Sequence, residues 1–157
     1  MKKIGLLIMV GFMIVSCNSK PGKSSVSSQE KQVIAKVDTV RDGVFIHITE
    51  SYNDPHRVLM PLKMALMMSK DKDVLVYMDI HAVELLVKGA KDMNFADFES
   101  FQTYIKQLLA NKVGIYACPT CLKIAGFKPS DLMAGIQIAQ KDKFFNFTNG
   151  RIIALDY

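Results

Sequence analysis

The clearest chemical signal in the sequence is a pair of cysteines, Cys118 and Cys121, with Pro119 and Thr120 between them. They follow a short apolar run over residues 113–117, which is typical of a buried strand. A proline directly after Cys118 is suited to the first position of a helix. Unpaired N–H groups at a helix start favour negative charge, and the thiolate is the nucleophilic form of cysteine. The spacing therefore predicts a reactive thiol at Cys118.

Four interpretations of this pair stay open at this point. The one that we favour gives Cys118 a persulfide or another nucleophilic function, with Cys121 as a helper. A second is a dithiol/disulfide couple like that of thioredoxin, although here the pair comes late, after two strand–helix units. A third is a metal site, because Cys-x-x-Cys is half of a zinc ligand set, although no second cysteine pair exists and the chain has three histidines. The fourth is two partly buried cysteines without chemistry.

The histidines are the side chains that could assist a thiol. His81 follows the second predicted strand, at the same end of the sheet as Cys118, where it could lower the thiol pKa or transfer a proton. We therefore count it with the cysteine pair as a candidate catalytic residue, against the alternative of a surface histidine at a helix start. We interpret His56, in a turn beside Pro55, as a solvated loop residue. His47 has apolar strand neighbours and is interpreted as structural and hydrogen-bonded.

The elements that must position these residues alternate between strands and helices. Apolar, β-branched runs predict strands over residues 44–49, 74–78, 113–117 and 151–155, with a weaker signal over 136–139. Helical spacing predicts helices over residues 58–69, 82–88 and 95–110, a short helix that ends at Gly126, and a weaker one over 141–146. This alternation predicts an α/β fold with a mainly parallel sheet of about five strands. In such sheets, sites form beyond the carboxyl ends of the strands, which is where Cys118 and His81 fall.

Four methionines of the first predicted helix, Met60, Met64, Met67 and Met68, are spaced i, i+4, i+7 and i+8. Thioethers are ligands for soft metal ions such as Cu(I). The same spacing also marks the core face of an ordinary helix, in which methionine fills irregular gaps. We therefore expect these side chains to pack in the core.

The first seventeen residues have the features of an export signal. Two lysines precede twelve uncharged residues, a run too short for a membrane span of about 20 residues. The run closes with I-V-S-C, ending at Cys17, which resembles a bacterial lipobox. That resemblance implies cleavage of residues 1–16, acylation of Cys17 and a lipid-anchored position at the cell envelope, facing the periplasm or the outside. The polar, serine-rich residues 17–32 read as a flexible tether.

Length and composition leave room for one domain. A chain of 157 residues with 50% hydrophobic and 22% charged residues can bury a core, which excludes a disordered chain. The net charge of +5 comes mostly from the leader and tether, since residues 33–157 carry fifteen Lys and Arg against fourteen Asp and Glu. A domain of net charge +1 has no electrostatic surface for nucleic acid. The commonest hydrolase and nucleotide motifs are missing as well, so we expect no cofactor.

The segment around the cysteines resembles the DsrE/DsrF-like family, which includes sulfur-relay subunits. In that family a strand ends in a cysteine and a glycine follows eight residues later, the spacing of Cys118 and Gly126. The helix and strand over residues 61–78 and the segment V-E-L-L-V-K-G at 83–89 are similar to the family as well. The resemblance covers roughly residues 44–157.

The resemblance implies a three-layer α/β/α fold, trimers or hexamers of the chain, and Cys118 as the residue that carries sulfur. It also implies a sulfur donor or acceptor protein as a partner. Sulfur-relay subunits act in the cytoplasm, however, and several of them lack a counterpart of Cys121. For an exported chain we therefore expect handling of sulfane sulfur or thiol/disulfide chemistry rather than tRNA thiolation. The alternatives are a non-enzymatic oligomeric interaction module and a soft-metal (Zn or Cu) binding protein that uses both cysteines.

Overall fold

A computed structural model describes residues 40–157 of the chain. The strands of this part are β1 (Gly43–Ile48), β2 (Asp73–Met78), β3 (Gly114–Ala117), β4 (Gln137–Ile138) and β5 (Ile152–Asp156). The α-helices are α1 (Pro55–Met68), α2 (Phe101–Ala110), α3 (Pro119–Ile124) and α4 (Lys141–Phe145), and Ala82–Leu86 and Pro129–Asp131 are 3₁₀ helices. None of these helices is both long and apolar enough to cross a bilayer. The expected signal and tether, including Cys17, lie outside the described residues.

The five strands of the described part form one sheet in the order β4-β3-β2-β1-β5. Every neighbouring pair is parallel. The first four strands follow one another toward one edge, and β5 returns to pair with β1 at the other edge. This architecture confirms the predicted α/β fold with a parallel sheet of about five strands.

Alternate residues of the central strands point to two different layers. On one face, Val44, Ile46 and Ile48 of β1 are buried in a single core together with α1 and α2, which pack on β1, β2 and β3. On the other face, Phe144 of α4 packs edge-on against Tyr77, with the ring centroids 4.9 Å apart. The covering of this second face is thin, because α4 has five residues.

Helix α1 buries a different face from the one that the methionine spacing predicted. Its buried residues are Val58, Leu59, Pro61, Leu62 and Ala65. Met60 and Met67 are exposed, with 37% and 60% of their surface accessible, and Met64 and Met68 are half-buried. The core interpretation is therefore wrong for Met60 and Met67. Branched aliphatic side chains one position away on the helix already fill the space above the sheet.

Two other predicted helices are shorter than their apolar spacing suggested. The helix expected over residues 95–110 begins at Phe101, because the Ser100 hydroxyl caps its first turn and the Asp92 carboxylate accepts the Gln102 N–H at 2.9 Å. The helix expected over residues 82–88 is a 3₁₀ helix that ends at Leu86. Val87 is extended instead and pairs with Leu132.

Candidate functional site

The carboxyl edge of the sheet brings Cys118 beside the end of β2. In the β2–β3 pairing, Met78 lies opposite Ala117, and the Cys118 N–H donates to the Met78 carbonyl at 3.0 Å. Asp79, the residue that follows β2, is therefore the neighbour of Cys118. Cys118 thus lies at the edge of the sheet where the sequence placed the site.

Cys118 is also the residue that caps α3. Its Sγ accepts a hydrogen bond from the Cys121 N–H at 3.4 Å, and Pro119 occupies the first helical position as predicted. Leu122, on the same helix, is 1% exposed and anchors it to the core. Both cysteines are free thiols and partly buried. The short helix therefore fixes the two thiols relative to each other.

Donors around the sulfur lower the pKa of Cys118. Burial is the largest single influence and acts in the opposite direction, since it disfavours the thiolate. The Tyr77 hydroxyl, the N–H groups of Cys121 and Thr120, and the Cys121 thiol all donate toward the Cys118 sulfur, and together they outweigh burial. Cys118 is therefore the thiol of this pair that ionises more readily.

Tyr77 is the partner of Cys118 from the neighbouring strand. Its side chain lies on the thinly covered face of the sheet, between the His47 ring, stacked at a centroid distance of 5.4 Å, and Phe144 of α4. Burial, followed by the hydrogen bond to Cys118, raises the pKa of Tyr77. The phenol therefore stays protonated and remains a donor to the thiolate.

His47 connects three strands at this end of the sheet. Its Nε2 donates to Asp79 Oδ1 at 2.9 Å, and its Nδ1 lies 2.6 Å from Asp156 Oδ1 on β5. The predicted hydrogen-bonded role of His47 is confirmed. Through Asp79 and its stacking on Tyr77, this residue holds the end of β2 that faces the thiols.

Cys121 has an environment that disfavours its thiolate. Burial, followed by the hydrogen bond to Cys118, raises the pKa of Cys121, although the Ile80 N–H donates to its sulfur and acts the other way. Ile80 has a φ of 49°, which is unusual for a β-branched residue and places its N–H toward Cys121. The Cys121 thiol is thus less acidic than the Cys118 thiol.

His81 lies with Cys121 rather than with Cys118. Both line an open cavity of about 460 Å³, together with Ile80, Glu84, Ile124, Ala125 and Phe127. The Glu84 carboxylate accepts a hydrogen bond from the Ser51 hydroxyl, and Ile80 and Ile124 are 54% and 81% exposed. His81 and Cys121 therefore line one cavity, whereas Cys118 is not among its lining residues.

Two further expectations concern His56 and a metal site. The loop interpretation of His56 is wrong, because His56 is the second residue of α1 and its ring packs on Phe95 and Phe98, with centroid distances of 5.7 and 5.6 Å. Within residues 40–157, no cluster of three or more His, Cys, Asp and Glu side chains has the arrangement of a metal site.

The sequence does not point to Tyr77 as a partner of the thiol or to Asp156 as a partner of His47, and although Asp79 is expected at this end of the sheet, its pairing with His47 is not. A signal for Tyr77 was present. It lies two residues before Asp79 on a parallel strand, so both side chains point to the same face, and the end of that strand was already expected beside Cys118. For Asp156 there was no local signal, because it is brought to His47 by the pairing of β5 with β1.

Comparisons with known proteins agree with the fold. The ychN protein of E. coli is 17% identical over 74% of this chain and 99% of its own, with a TM-score of 0.60. The protein of unknown function MTH1491 of Methanobacterium thermoautotrophicum is 18% identical over 72% and 98%, with a TM-score of 0.54. The conserved protein of unknown function BT1422 of Bacteroides thetaiotaomicron is 19% identical over 73% and 95%, with a TM-score of 0.50.

At these identities the three structures show the fold alone. No protein with a curated functional description matches the sequence. The DsrE/DsrF-like family, in contrast, matches residues 42–150, which is well over half of the chain and includes the cysteine pair. The chain therefore belongs to the DsrE/DsrF-like family.

Proposed function

We propose that this domain carries sulfane sulfur on Cys118 in a sulfur-relay type of reaction. Membership in the DsrE/DsrF-like family and the matching fold support the general class. The observation that carries the specific proposal is the difference between the thiols, with the pKa of Cys118 lowered and that of Cys121 raised. A sulfur carrier needs one thiolate that attacks and a neighbour that stays protonated until it is used.

The loading step is an exchange at a sulfur–sulfur bond. The Cys118 thiolate attacks the outer sulfur of a persulfide donor, R–S–SH, and forms a new S–S bond. The old S–S bond breaks, and its electron pair leaves with the donor as a thiolate, R–S⁻. Cys118 is then a persulfide, and the overall oxidation level is unchanged. The donors around the Cys118 sulfur stabilise the attacking anion.

Two routes can unload the persulfide. The thiolate of an acceptor protein attacks the outer sulfur and regenerates the Cys118 thiolate. Alternatively, Cys121 loses its proton and attacks the inner sulfur, which gives a Cys118–Cys121 disulfide and releases hydrogen sulfide. An external thiol reductant then returns the pair to the free thiols. We assign acceptance of the Cys121 proton to His81, which lines the same cavity as Cys121.

We also propose a partner protein, an oligomeric state and a location for this domain. A sulfur donor or acceptor protein would approach the cavity, where exposed Ile80 and Ile124 offer an apolar contact beside Cys121. The chain would act as a trimer or hexamer, tethered by an acylated Cys17 at the cell envelope. Labelling of growing cells with a fatty acid tests the anchor, since Cys17→Ser should abolish incorporation and release the protein from the membrane fraction.

Intact mass after incubation with polysulfide tests the chemistry. The wild-type chain should gain one sulfur atom, Cys118→Ser should gain none, and Cys121→Ser should keep the gain for longer because its internal release route is lost. Loss of two hydrogens in the wild-type chain, with no gain of sulfur in Cys121→Ser at any time, would instead support a dithiol/disulfide couple. An unmodified mass with one bound zinc or copper lost in both variants would support a soft-metal site, and no change at all would support an interaction module.

A further inference from the structure

The open cavity of about 460 Å³ beside α3 has one thiol of the cysteine pair in its wall. Cys121 is among the lining residues, and Cys118 is not. Both cysteines are only partly buried, so the Cys121 sulfur can be reached from the cavity. A molecule that binds in this cavity therefore meets the Cys121 thiol.

The rest of the cavity wall is mostly apolar. Ile80 and Ile124 are 54% and 81% exposed, and Ala125 and Phe127 line the same cavity. Its volume lies within the range of about 300–1,000 Å³ that is usual for sites of small molecules. Burial of apolar surface against these side chains favours a ligand that carries an apolar group. The cavity therefore suits a small, partly apolar molecule.

The two sulfurs of a Cys118–Cys121 disulfide are unequal leaving groups. In thiol–disulfide exchange, the attacked sulfur forms the new bond and the other sulfur leaves as a thiolate, which leaves faster when its pKa is lower. Burial opposes the Cys118 thiolate, but the Tyr77 hydroxyl and nearby N–H groups outweigh it and lower the pKa of Cys118. Burial, followed by the hydrogen bond to Cys118, raises the pKa of Cys121. Attack at the Cys121 sulfur therefore expels the better leaving group.

We propose that the external thiol that reduces the Cys118–Cys121 disulfide attacks Cys121, and that it is a small thiol with an apolar group bound in this cavity. The inference rests on the proposed function, in which this disulfide forms when hydrogen sulfide is released. The position of Cys121 in the cavity wall gives the incoming thiol access to its sulfur. Cys118, outside the wall, is the leaving side of the disulfide.

The exchange has two steps. The incoming thiolate, R–S⁻, forms an S–S bond with Cys121 while the bond between Cys121 and Cys118 breaks, and the electron pair of that bond leaves on Cys118 as a thiolate. A second R–S⁻ then attacks the R sulfur of the mixed disulfide. This attack releases R–S–S–R and the Cys121 thiolate, which takes a proton from water. Two thiols are thus oxidised to one disulfide, and the cysteine pair is reduced.

Trapping of the mixed disulfide tests the point of attack. The full chain with Cys17→Ser is oxidised with diamide, so that the Cys118–Cys121 disulfide forms without a persulfide, and is then mixed with phenylmethanethiol. After quenching with N-ethylmaleimide, tandem mass spectrometry should locate the phenylmethanethiol on Cys121 and the maleimide on Cys118, in about tenfold excess over the reverse arrangement. Equal or reversed labelling, or failure of diamide to join the two cysteines, would overturn the proposal.

The outcome is distinct from that of the polysulfide experiment. A wild-type chain that gains no sulfur from polysulfide would contradict the proposed function, whereas the labelling of the oxidised chain would still identify Cys121 as the attacked sulfur. A chain that gains sulfur on Cys118 but is labelled by phenylmethanethiol on Cys118 would contradict the exchange and leave the proposed function in place.

Matched variants test the apolar wall of the cavity. Reduction of the disulfide by phenylmethanethiol should slow about tenfold in Ile124→Asn, because apolar contact with the bound thiol is lost. Reduction by 2-mercaptoethanol, a thiol of similar acidity without an apolar ring, should change less than about twofold. Ile153→Asn, at a 60%-exposed position on β5, is the control and should leave both rates in place. Equal slowing with both thiols, or none with phenylmethanethiol, would exclude a small apolar thiol as the reductant.

Discussion

The acidity of Cys118 depends on a side chain from another strand. The Tyr77 hydroxyl donates to the sulfur and opposes the effect of burial, which by itself would raise the pKa of Cys118. A hydrogen bond to a charged group contributes about 1.5–3 kcal/mol, and 1.36 kcal/mol corresponds to about one pKa unit. One phenol can therefore change the thiolate population by about tenfold at pH values well below the pKa of Cys118.

Tyr77→Phe should slow alkylation of Cys118 by iodoacetamide about tenfold at pH values well below the pKa of this thiol. The reason is that loss of the donor raises the pKa of Cys118, so less thiolate is present at any pH below that pKa. The rate can be followed by intact mass across a series of pH values, in which the inflection should move to higher pH. Tyr116→Phe, on the same face of the next strand, is the control and should leave the profile in place. A profile unchanged by Tyr77→Phe would exclude the phenol as the cause.

His47→Leu should destabilise the domain by about 1–3 kcal/mol, because it removes the imidazole that donates to the partly buried carboxylate of Asp79. The side chain of Asp79 is 18% exposed and loses a partner, whereas Asp156 is 78% exposed and loses little. Urea denaturation measures the free energy of unfolding. The matched control is His56→Leu, whose ring rests on surface aromatic residues and should cost well under 1 kcal/mol. Equal costs for the two variants would contradict the proposed role of His47.

At the scale of elements, the backbone just after α2 has a left-handed conformation at a residue other than glycine. Lys112 follows the C-cap Asn111 and has a φ of 61°, a conformation that glycine adopts without cost. Lys112→Gly should therefore stabilise the domain by about 1 kcal/mol. Lys106→Gly, an exposed site inside the same helix, should instead destabilise it by about 1 kcal/mol. Thermal unfolding of both variants checks the opposite signs, and a loss of stability in Lys112→Gly would disprove the argument.

Apolar spacing predicted which elements exist better than where they begin or which face they bury. The apolar pattern predicts a start of α2 six residues too early, because Phe95 and Phe98 extend that pattern. These rings stack instead with His56 on the surface of the protein. On α1 the methionines have helical spacing, but so do the aliphatic residues beside them. Periodicity alone does not decide which of two apolar stripes faces the sheet.

At the scale of the whole molecule, the sheet assembles the site from segments far apart in sequence. The position of Cys118 at the start of a helix could be predicted, since that signal is local. Tyr77, Asp79 and His47 come together with it only through the register of parallel strands. That register depends on how both faces of the sheet pack, and it cannot be predicted from the apolar pattern of one sequence. The order of the five strands was likewise not predicted, because alternation fixes their number and direction but not their neighbours.

Gly150 lies just before β5 and packs against the backbone carbonyl of Arg41. Gly150→Ala should destabilise the domain by more than 2 kcal/mol, because the new methyl group would clash with that carbonyl. Amide hydrogen exchange in β5 should rise more than exchange in β2. The control is Asp42→Asn, which weakens the nearby pair with the 88%-exposed Arg151 and should cost less than 1 kcal/mol. A β5 whose exchange is as slow in Gly150→Ala as in the wild type would contradict this role of the glycine.

The position of β5 has a kinetic consequence. Its pairing with β1 joins Gly43 to Ile152, so it closes a loop that encloses nearly the whole domain. The other strand pairs join segments much closer in sequence and have a lower contact order, so they can form before this loop is closed. Until β5 docks, β1 is an open edge on which another extended chain could pair. Pairing of β5 should therefore come late in folding, and the contact of His47 with Asp156 reports when it is complete.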